Sequence, residues 1–153
     1  MSHNKAISSI KFELNQMEKH LNSYENLIRK AKSKKPDLIE MTALASVLHS
    51  FYNGVENMFV AVAKNIDKHV PEGSNWPKEL LKQMLERNEA REPVISEDLR
   101  DKLIKYLAFR HFYRHSYSFY LDWKELENLV LSINNTWEQV RQEMTELISK
   151  HNS

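Results

Sequence analysis

The chain has 153 residues, a length typical of one compact domain, and we expect a single domain over residues 1–153. Its 22 Lys and Arg residues nearly balance its 21 Asp and Glu residues, which excludes the strong positive charge of many nucleic-acid binders. Any anionic partner must therefore bind to a local patch of basic residues. No cysteine is present, which excludes disulfides, thiolate zinc sites and a cysteine nucleophile and is typical of an intracellular protein.

The composition favours helices. Only two glycines and four prolines occur, so turn-forming residues are scarce and helix formers dominate. We therefore predict an all-α fold. The segment MSHNKAISSIKFEL lacks the apolar stretch of a signal peptide, and no apolar run approaches the roughly 20 residues that cross a bilayer. We expect a soluble, cytoplasmic protein with no membrane partner.

Two long amphipathic helices are predicted first. Over residues 4–32, apolar residues recur at the three- and four-residue steps of one helix face: Ile7, Ile10, Leu14, Met17, Leu21, Tyr24 and Ile28. Pro36 and the preceding basic cluster mark the end of this helix. A second helix is predicted from about Asp37 to Asp67, with an inward face of Leu38, Met41, Ala45, Leu48, Phe51 or Tyr52, Val55, Phe59, Val62 and Ile66. Gly54 lies in its middle, where either another backbone approaches closely or a glycine is simply tolerated.

Three further helices complete the chain. A short one, Lys78 to about Asn88, lies between the turn-rich segments HVPEGSNWP and EAREPVIS. A fourth helix is predicted to begin with Ser96 as its N-cap and to run to about Tyr117. The last begins near Asp122, and its inward face is Leu126, Val130, Ile133, Trp137, Val140, Met144 and Leu147. These elements predict an antiparallel four-helix bundle with one additional short helix.

Arg110 breaks the apolar pattern of the fourth helix. The inward positions of that helix are Leu99, Leu103, Tyr106, Arg110, Tyr113 and Tyr117. A buried unpaired charge is costly, so Arg110 needs a carboxylate, a group of carbonyls, an anionic ligand or a crevice. The alternative is that the stripe has reached the end of the bundle and Arg110 extends into water.

Other polar and aromatic residues leave open alternatives. His111 and His115 are four residues apart, a spacing that suits a metal, but no Glu-x-x-His pair accompanies them and we expect no metal. The line His49, Asn53 and Glu56 is interpreted as a solvated face, with support of a site near Arg110 as the alternative. Trp76, Trp123 and Trp137 are interpreted as packing residues rather than stacking platforms. The lysines of residues 30–35 are interpreted as a solvated loop rather than an RNA contact.

The segment RHFYRHSY, residues 110–117, resembles the Arg-x4-His-x-Tyr signature of the HepT-like toxins in the HEPN superfamily. Arg110, His115 and Tyr117 occupy the motif positions, and His111 stands where many HEPN nucleases have Asn. HEPN domains are helical bundles that carry this motif at the end of a late helix, so the resemblance covers nearly the whole chain.

The resemblance implies a metal-independent endoribonuclease that needs no cofactor. The 2′-hydroxyl of RNA attacks its own phosphate, so the protein must supply only proton transfer and a cation. The resemblance assigns proton transfer to His115 and stabilisation of the phosphorane to Arg110. His111 and Arg114 are expected to position the RNA substrate. DNA lacks the attacking hydroxyl and should not be cut.

The resemblance also implies partners. HEPN ribonucleases pair as homodimers, which would bring two copies of the motif into one cleft and would use the seven Phe and Tyr residues of 106–120 as core and interface. In the HepT-like branch, a nucleotidyltransferase (MntA-like) antitoxin adds AMP to the motif tyrosine, here Tyr117. The alternative function is a non-catalytic HEPN bundle that serves as a nucleotide- or partner-binding subunit of a nucleotidyltransferase complex. A bundle with a purely structural role is the third hypothesis.

Overall fold

The computed structural model describes residues 2–115 and 121–151, which form six α-helices and one π-helical turn. The helices are α1 (Ser2–Ser23), α2 (Glu25–Ala31), α3 (Leu38–Val62), α4 (Trp76–Leu85), α5 (Glu97–His115) and α6 (Trp123–His151), and the π-helical turn (Ala63–Asp67) continues α3. These residues contain no β-strand. The predicted all-α fold is confirmed.

The long helices α1, α3, α5 and α6 form a bundle in which neighbours are antiparallel. Ser96, just before α5, donates a hydrogen bond to Glu143 late in α6 (2.8 Å), and the rings of His3 and His151 lie 5.0 Å apart at opposite ends of α1 and α6. Glu13 and Met17 of α1 lie against Asn57 and Gly54 of α3, so these two helices are antiparallel. Glu56 and His49 of α3 lie against Arg110 and Tyr113 of α5, so that pair is antiparallel as well. The predicted antiparallel bundle is therefore present, with α4 as the additional short helix.

The apolar faces predicted from helical spacing meet in one cluster of buried side chains. Every inward position predicted for the last helix is buried, as are the inward positions of α5 as far as Arg110. Among the described inward positions, Leu14, Tyr24 and Tyr113 are half-buried against the core, and Leu38 is 65% exposed. Leu38 is the first residue of α3 and lies beyond the end of the core, so helical periodicity alone cannot place it.

Three helices begin at capping side chains, and one of them, Ser96, is the N-cap that the sequence predicts. Asp37 accepts a hydrogen bond from the backbone N–H of Glu40 at 2.8 Å, and the Glu40 carboxylate accepts one from the N–H of Asp37 at 3.0 Å. Ser96 Oγ accepts from the N–H of Leu99, and Asp122 accepts from the N–H of Lys124. These bonds satisfy backbone donors that a helix leaves unpaired.

Two predicted helices differ in their bounds. The continuous helix predicted over residues 4–32 is interrupted at Tyr24, which separates α1 from α2. The Ser23 hydroxyl donates to the Lys19 carbonyl at 2.9 Å, a bond that bends helices because it competes with the backbone pattern. The short helix α4 begins two residues before Lys78 and ends before Asn88, whose side chain accepts from the N–H groups of Ala90 and Arg91 and forms a turn.

Gly54 lies where α1 and α3 are in close contact. A Cβ atom at this position would collide with the terminal methyl of Met17 on α1. The crowding comes from the flexible end of a side chain and no other backbone lies within 4 Å, so the expectation that another backbone approaches Gly54 is wrong.

A buried ion pair fixes the chain after α4 against the end of α3. Arg91 donates to both carboxylate oxygens of Asp67, at 2.7 and 2.6 Å, and also to the carbonyls of Glu86, Glu92 and Gln83. Both side chains are almost fully buried. The π-helical turn carries Asp67, so this turn and its ion pair set where α4 lies relative to α3 and α5.

Candidate functional site

Arg110 is buried in the bundle core near the end of α5. Its exposed fraction is 2%, and it continues the inward stripe that includes Leu103 and Tyr106. The interpretation that Arg110 extends into water at the end of the bundle is therefore wrong. Such a guanidinium needs partners inside the protein.

Two side chains of α3 supply those partners. Arg110 Nη1 and Nη2 donate to the two carboxylate oxygens of Glu56 at 2.6 and 2.8 Å, and Nη1 also donates to Asn53 Oδ1 at 3.0 Å. The face of the Tyr52 ring lies beneath the guanidinium, with Cζ 5.2 Å from the ring centre. This fork of two parallel bonds fixes both the position and the orientation of Arg110.

One edge of the guanidinium has no recorded partner. The Glu56 carboxylate binds the edge formed by Nη1 and Nη2, whereas Arg110 Nε is buried and bonds to none of the described residues. The Nε–H and an N–H of Nη2 form a second fork, which matches two oxygens of a phosphate as well as it matches a carboxylate. Glu56 therefore leaves one donor edge of Arg110 unused, and the Nε of that edge is shielded from solvent.

The polar line on α3 is part of this site, so its interpretation as a solvated face is wrong. Glu56 is buried and Asn53 is half-buried, and both contact Arg110. One turn earlier, the ring of His49 lies 5.1 Å from that of Tyr113, and His49 Nδ1 is buried without a partner among the described residues. Burial lowers the pKa of His49, and the charges of Arg110 and Arg114 lower it further, so this imidazole is neutral at pH 7.

The other residues of the motif lie along the last turns of α5. His111 and Arg114 are exposed and face a groove together with Arg110. His115 is the last residue of α5, and Tyr117 lies outside the described residues. Because α5 stays helical to His115, positions 110 and 115 are about 140° apart around its axis. One copy of the helix therefore directs these two positions to different sides.

The groove lies between α5 and the segment that begins α4, and its volume is about 640 Å³. We call it the α4–α5 groove. Its lining consists of Ser74, Asn75, Trp76, Pro77, Lys78, Ile104, Leu107, Ala108, Arg110, His111 and Arg114. Of these described residues, four are basic or imidazole side chains and none is acidic, so the groove suits an anionic ligand.

A family model described as HepT-like protein matches residues 43–151 of this chain. The chain belongs to the HepT-like family of the HEPN superfamily. The match extends from early α3 to the end of α6 and so includes Asn53, Glu56, Arg110 and the positions of His115 and Tyr117. No curated protein and no solved structure matches the chain.

Two further findings concern the described part of this HepT-like protein. None of its helices combines the length and the apolar character needed to cross a membrane. Its described side chains include no group of three or more His, Asp or Glu residues placed to hold a metal ion.

Proposed function

We propose that this HepT-like protein is the toxin of a toxin–antitoxin pair and cleaves RNA in the cytoplasm as a metal-independent endoribonuclease. The observation that carries the proposal is the buried Arg110. Glu56 and Asn53 hold its guanidinium, and Arg110 borders a groove whose described lining contains no acidic residue. Arg110 also belongs to the motif that supplies the catalytic residues of HepT-like ribonucleases. A rigid cation with an unpartnered N–H suits a developing phosphorane better than a mobile surface lysine does.

The reaction needs no group that this chain lacks. A base, assigned to His115, accepts the proton of the 2′-hydroxyl as the 2′-oxygen forms a bond to phosphorus. The bond from phosphorus to the 5′-oxygen breaks, and the leaving oxygen takes up a proton from water. Arg110 stabilises the negative charge on the phosphorane oxygens. The products are a 2′,3′-cyclic phosphate and a 5′-hydroxyl.

A homodimer resolves the separation of Arg110 and His115 around α5. Two copies related by a two-fold axis would place the His115 of each copy near the Arg110 of the other. The same helix carries Phe112 within the motif, and this large apolar side chain is 45% exposed and does not line the α4–α5 groove. An exposed aromatic ring within the motif supports the end of α5 as the contact between the two copies.

A nucleotidyltransferase (MntA-like) antitoxin is the proposed regulator, and it adds AMP to Tyr117. The adenylate would place a phosphate two residues beyond His115 on the chain. That phosphate would compete with RNA for Arg110 and would occupy the cleft. Modification of Tyr117 would therefore stop cleavage without unfolding the bundle.

The contact between Glu56 and Arg110 also favours a second candidate function. A buried Arg whose charge is balanced by a carboxylate is well suited to a structural role. In that case the protein is a non-catalytic bundle that binds a nucleotide or a partner within a nucleotidyltransferase complex. This candidate predicts association with the partner and no cleavage of RNA.

Cleavage of RNA in EDTA separates the two candidates. We expect the purified protein to cut RNA in excess EDTA and to leave 2′,3′-cyclic phosphate ends, while the same sequence with 2′-O-methyl groups stays intact. His115→Ala should slow cleavage by at least about 100-fold because it removes proton transfer. His151→Ala is a control that replaces a histidine at the far end of the bundle. Cleavage by His115→Ala at the wild-type rate would show that another residue transfers the proton.

A further inference from the structure

The α4–α5 groove is larger than a single phosphate bound to Arg110 would need. Its volume of about 640 Å³ lies within the range of pockets that hold a small organic ligand. It extends from Arg110 and Arg114 on α5 to Ser74 and Lys78 at the start of α4. A ligand seated there would lie directly beside the proposed site of cleavage.

One wall of the groove is an indole ring. Trp76 is half-buried and lines the groove, whereas Trp123 and Trp137 are only 8% and 6% exposed and pack in the core. Trp76 also packs against the core, so the interpretation of the three tryptophans as packing residues holds, and Trp76 in addition lines the groove. On the α5 side the groove is lined by Ile104, Leu107 and Ala108. A flat aromatic surface and an apolar wall are the surroundings that a planar base prefers.

The charged lining of the groove adds a second requirement on the ligand. Lys78 and Arg114 are exposed, and neither forms an ion pair with a described residue. The protein has another groove of similar volume, about 610 Å³, near the end of α6, but that groove is lined by Glu143 and Glu146. Only the α4–α5 groove of these two offers cations beside an aromatic ring, which are the features that bind the backbone and the bases of a single-stranded nucleic acid.

We propose that the α4–α5 groove binds one nucleotide of the RNA substrate, with its base against Trp76 and its phosphate facing Lys78 and Arg114. This inference rests on the proposed ribonuclease function. Trp76 is then a substrate-binding residue that holds the strand in register with Arg110. Ser74 and Asn75 line the same groove and carry polar groups that can read the edge of the base.

The test is binding of an RNA oligonucleotide that cannot be cut. A fluorescent single-stranded RNA with 2′-O-methyl groups is titrated with the full-length protein, and its anisotropy gives Kd. Because loss of one stacked base weakens binding measurably, we expect Trp76→Leu to raise Kd by roughly 5- to 100-fold and Trp76→Phe to restore most of the affinity. Leucine and phenylalanine are both apolar and both smaller than tryptophan, so the comparison of the two variants separates stacking from the loss of packing.

A charge reversal provides a test that does not touch the core. Lys78→Glu should raise Kd by at least about threefold and should flatten its dependence on salt, because one phosphate contact is lost. Lys64→Glu is the matched control, since Lys64 is exposed on the π-helical turn and does not line the groove. Equal effects of the two reversals would mean that only net charge matters and would overturn the proposal.

The outcomes distinguish this inference from the proposed function. If wild-type protein cuts RNA while Trp76→Leu binds the uncuttable RNA as tightly as wild type, the groove proposal is wrong and the ribonuclease proposal stands. If Trp76→Leu and Lys78→Glu weaken binding but wild type does not cut RNA, the groove proposal stands and the enzyme assignment is wrong. If wild type binds no RNA, both are wrong.

Discussion

Replacing Glu56 with alanine should lower the free energy of unfolding by about 3–5 kcal/mol, because it leaves the charge of Arg110 buried without its counter-ion. Arg110 is 2% exposed, and Asn53 provides only one neutral hydrogen bond to it. Urea unfolding followed by circular dichroism measures the change. The control is Glu138→Ala, which removes an exposed Glu–Arg pair on α6 and should change stability little. Similar midpoints for the two variants would contradict a buried ion pair.

A double substitution separates the cost of an unpaired charge from the loss of the pair. Glu56→Leu combined with Arg110→Met replaces both members with apolar side chains of similar size. Because neither charge then needs a partner, we expect the double variant to be about as stable as wild type, or more stable by up to about 4 kcal/mol. The gain relative to Glu56→Ala alone measures the coupling of the two residues.

Asp67→Ala is expected to destabilise the fold by a similar amount, about 3–5 kcal/mol, since it leaves the guanidinium of Arg91 buried and uncompensated. Arg91 is completely buried, and its bonds to Asp67 join the end of α3 to the chain that follows α4. Loss of this contact should also loosen α4 and with it the wall of the groove that carries Trp76. Hydrogen exchange of the α4 amides measures that loosening, and unchanged exchange would contradict the role of the ion pair in placing α4.

The same ion pair predicts a dependence of stability on pH. Burial alone would raise the pKa of the Asp67 carboxyl, but hydrogen bonds from Arg91, Gln83 and Asn88 and the charge of Arg91 outweigh burial, and the pKa is lowered. A carboxyl with a lowered pKa in the folded state stabilises the fold above its unfolded pKa of about 3.9, and that stability is lost as the pH falls through the folded value. When the pH is lowered from 5, the free energy of unfolding of the Asp67→Ala variant should therefore fall less than that of the wild-type protein. Unfolding measurements over this pH range test the expectation.

The helices were predictable because each carries a local signal. Ile133, Trp137 and Val140 repeat at helical spacing, and Asp37 and Ser96 are N-cap residues whose bonds depend only on residues three positions away. The break at Tyr24 was not predictable by the same means, since the apolar spacing continues through it. The bond of Ser23 to the Lys19 carbonyl accompanies the break, but Thr42 makes the same kind of bond within the unbroken α3.

The site was predictable only in part. Arg110 is a charged residue on the apolar face of α5, and this identifies it as a candidate site residue. The resemblance to the HepT-like toxins assigns roles to the other residues of the motif. The partner of Arg110 lies 54 residues away on another helix, and no local spacing predicts that Glu56 meets it. One signal was present: Glu56 lies four residues after the inward Tyr52 and three before the inward Phe59, so it shares their helix face. The proposed role of Trp76 depends on how α4 packs against α5. The residues next to Trp76 in the sequence do not predict that packing.

The most direct test of the ribonuclease site is cleavage of RNA in EDTA by the variant that carries both Glu56→Leu and Arg110→Met, compared with wild type. A cooperative urea transition shows that the variant is folded before its activity is measured. Because the phosphorane then lacks the guanidinium of Arg110, we predict that wild type cuts the RNA and that the folded variant cuts it at least about 100-fold more slowly. Cleavage by the folded variant at the wild-type rate would contradict a catalytic Arg110, and absence of cleavage by wild type would contradict the ribonuclease itself.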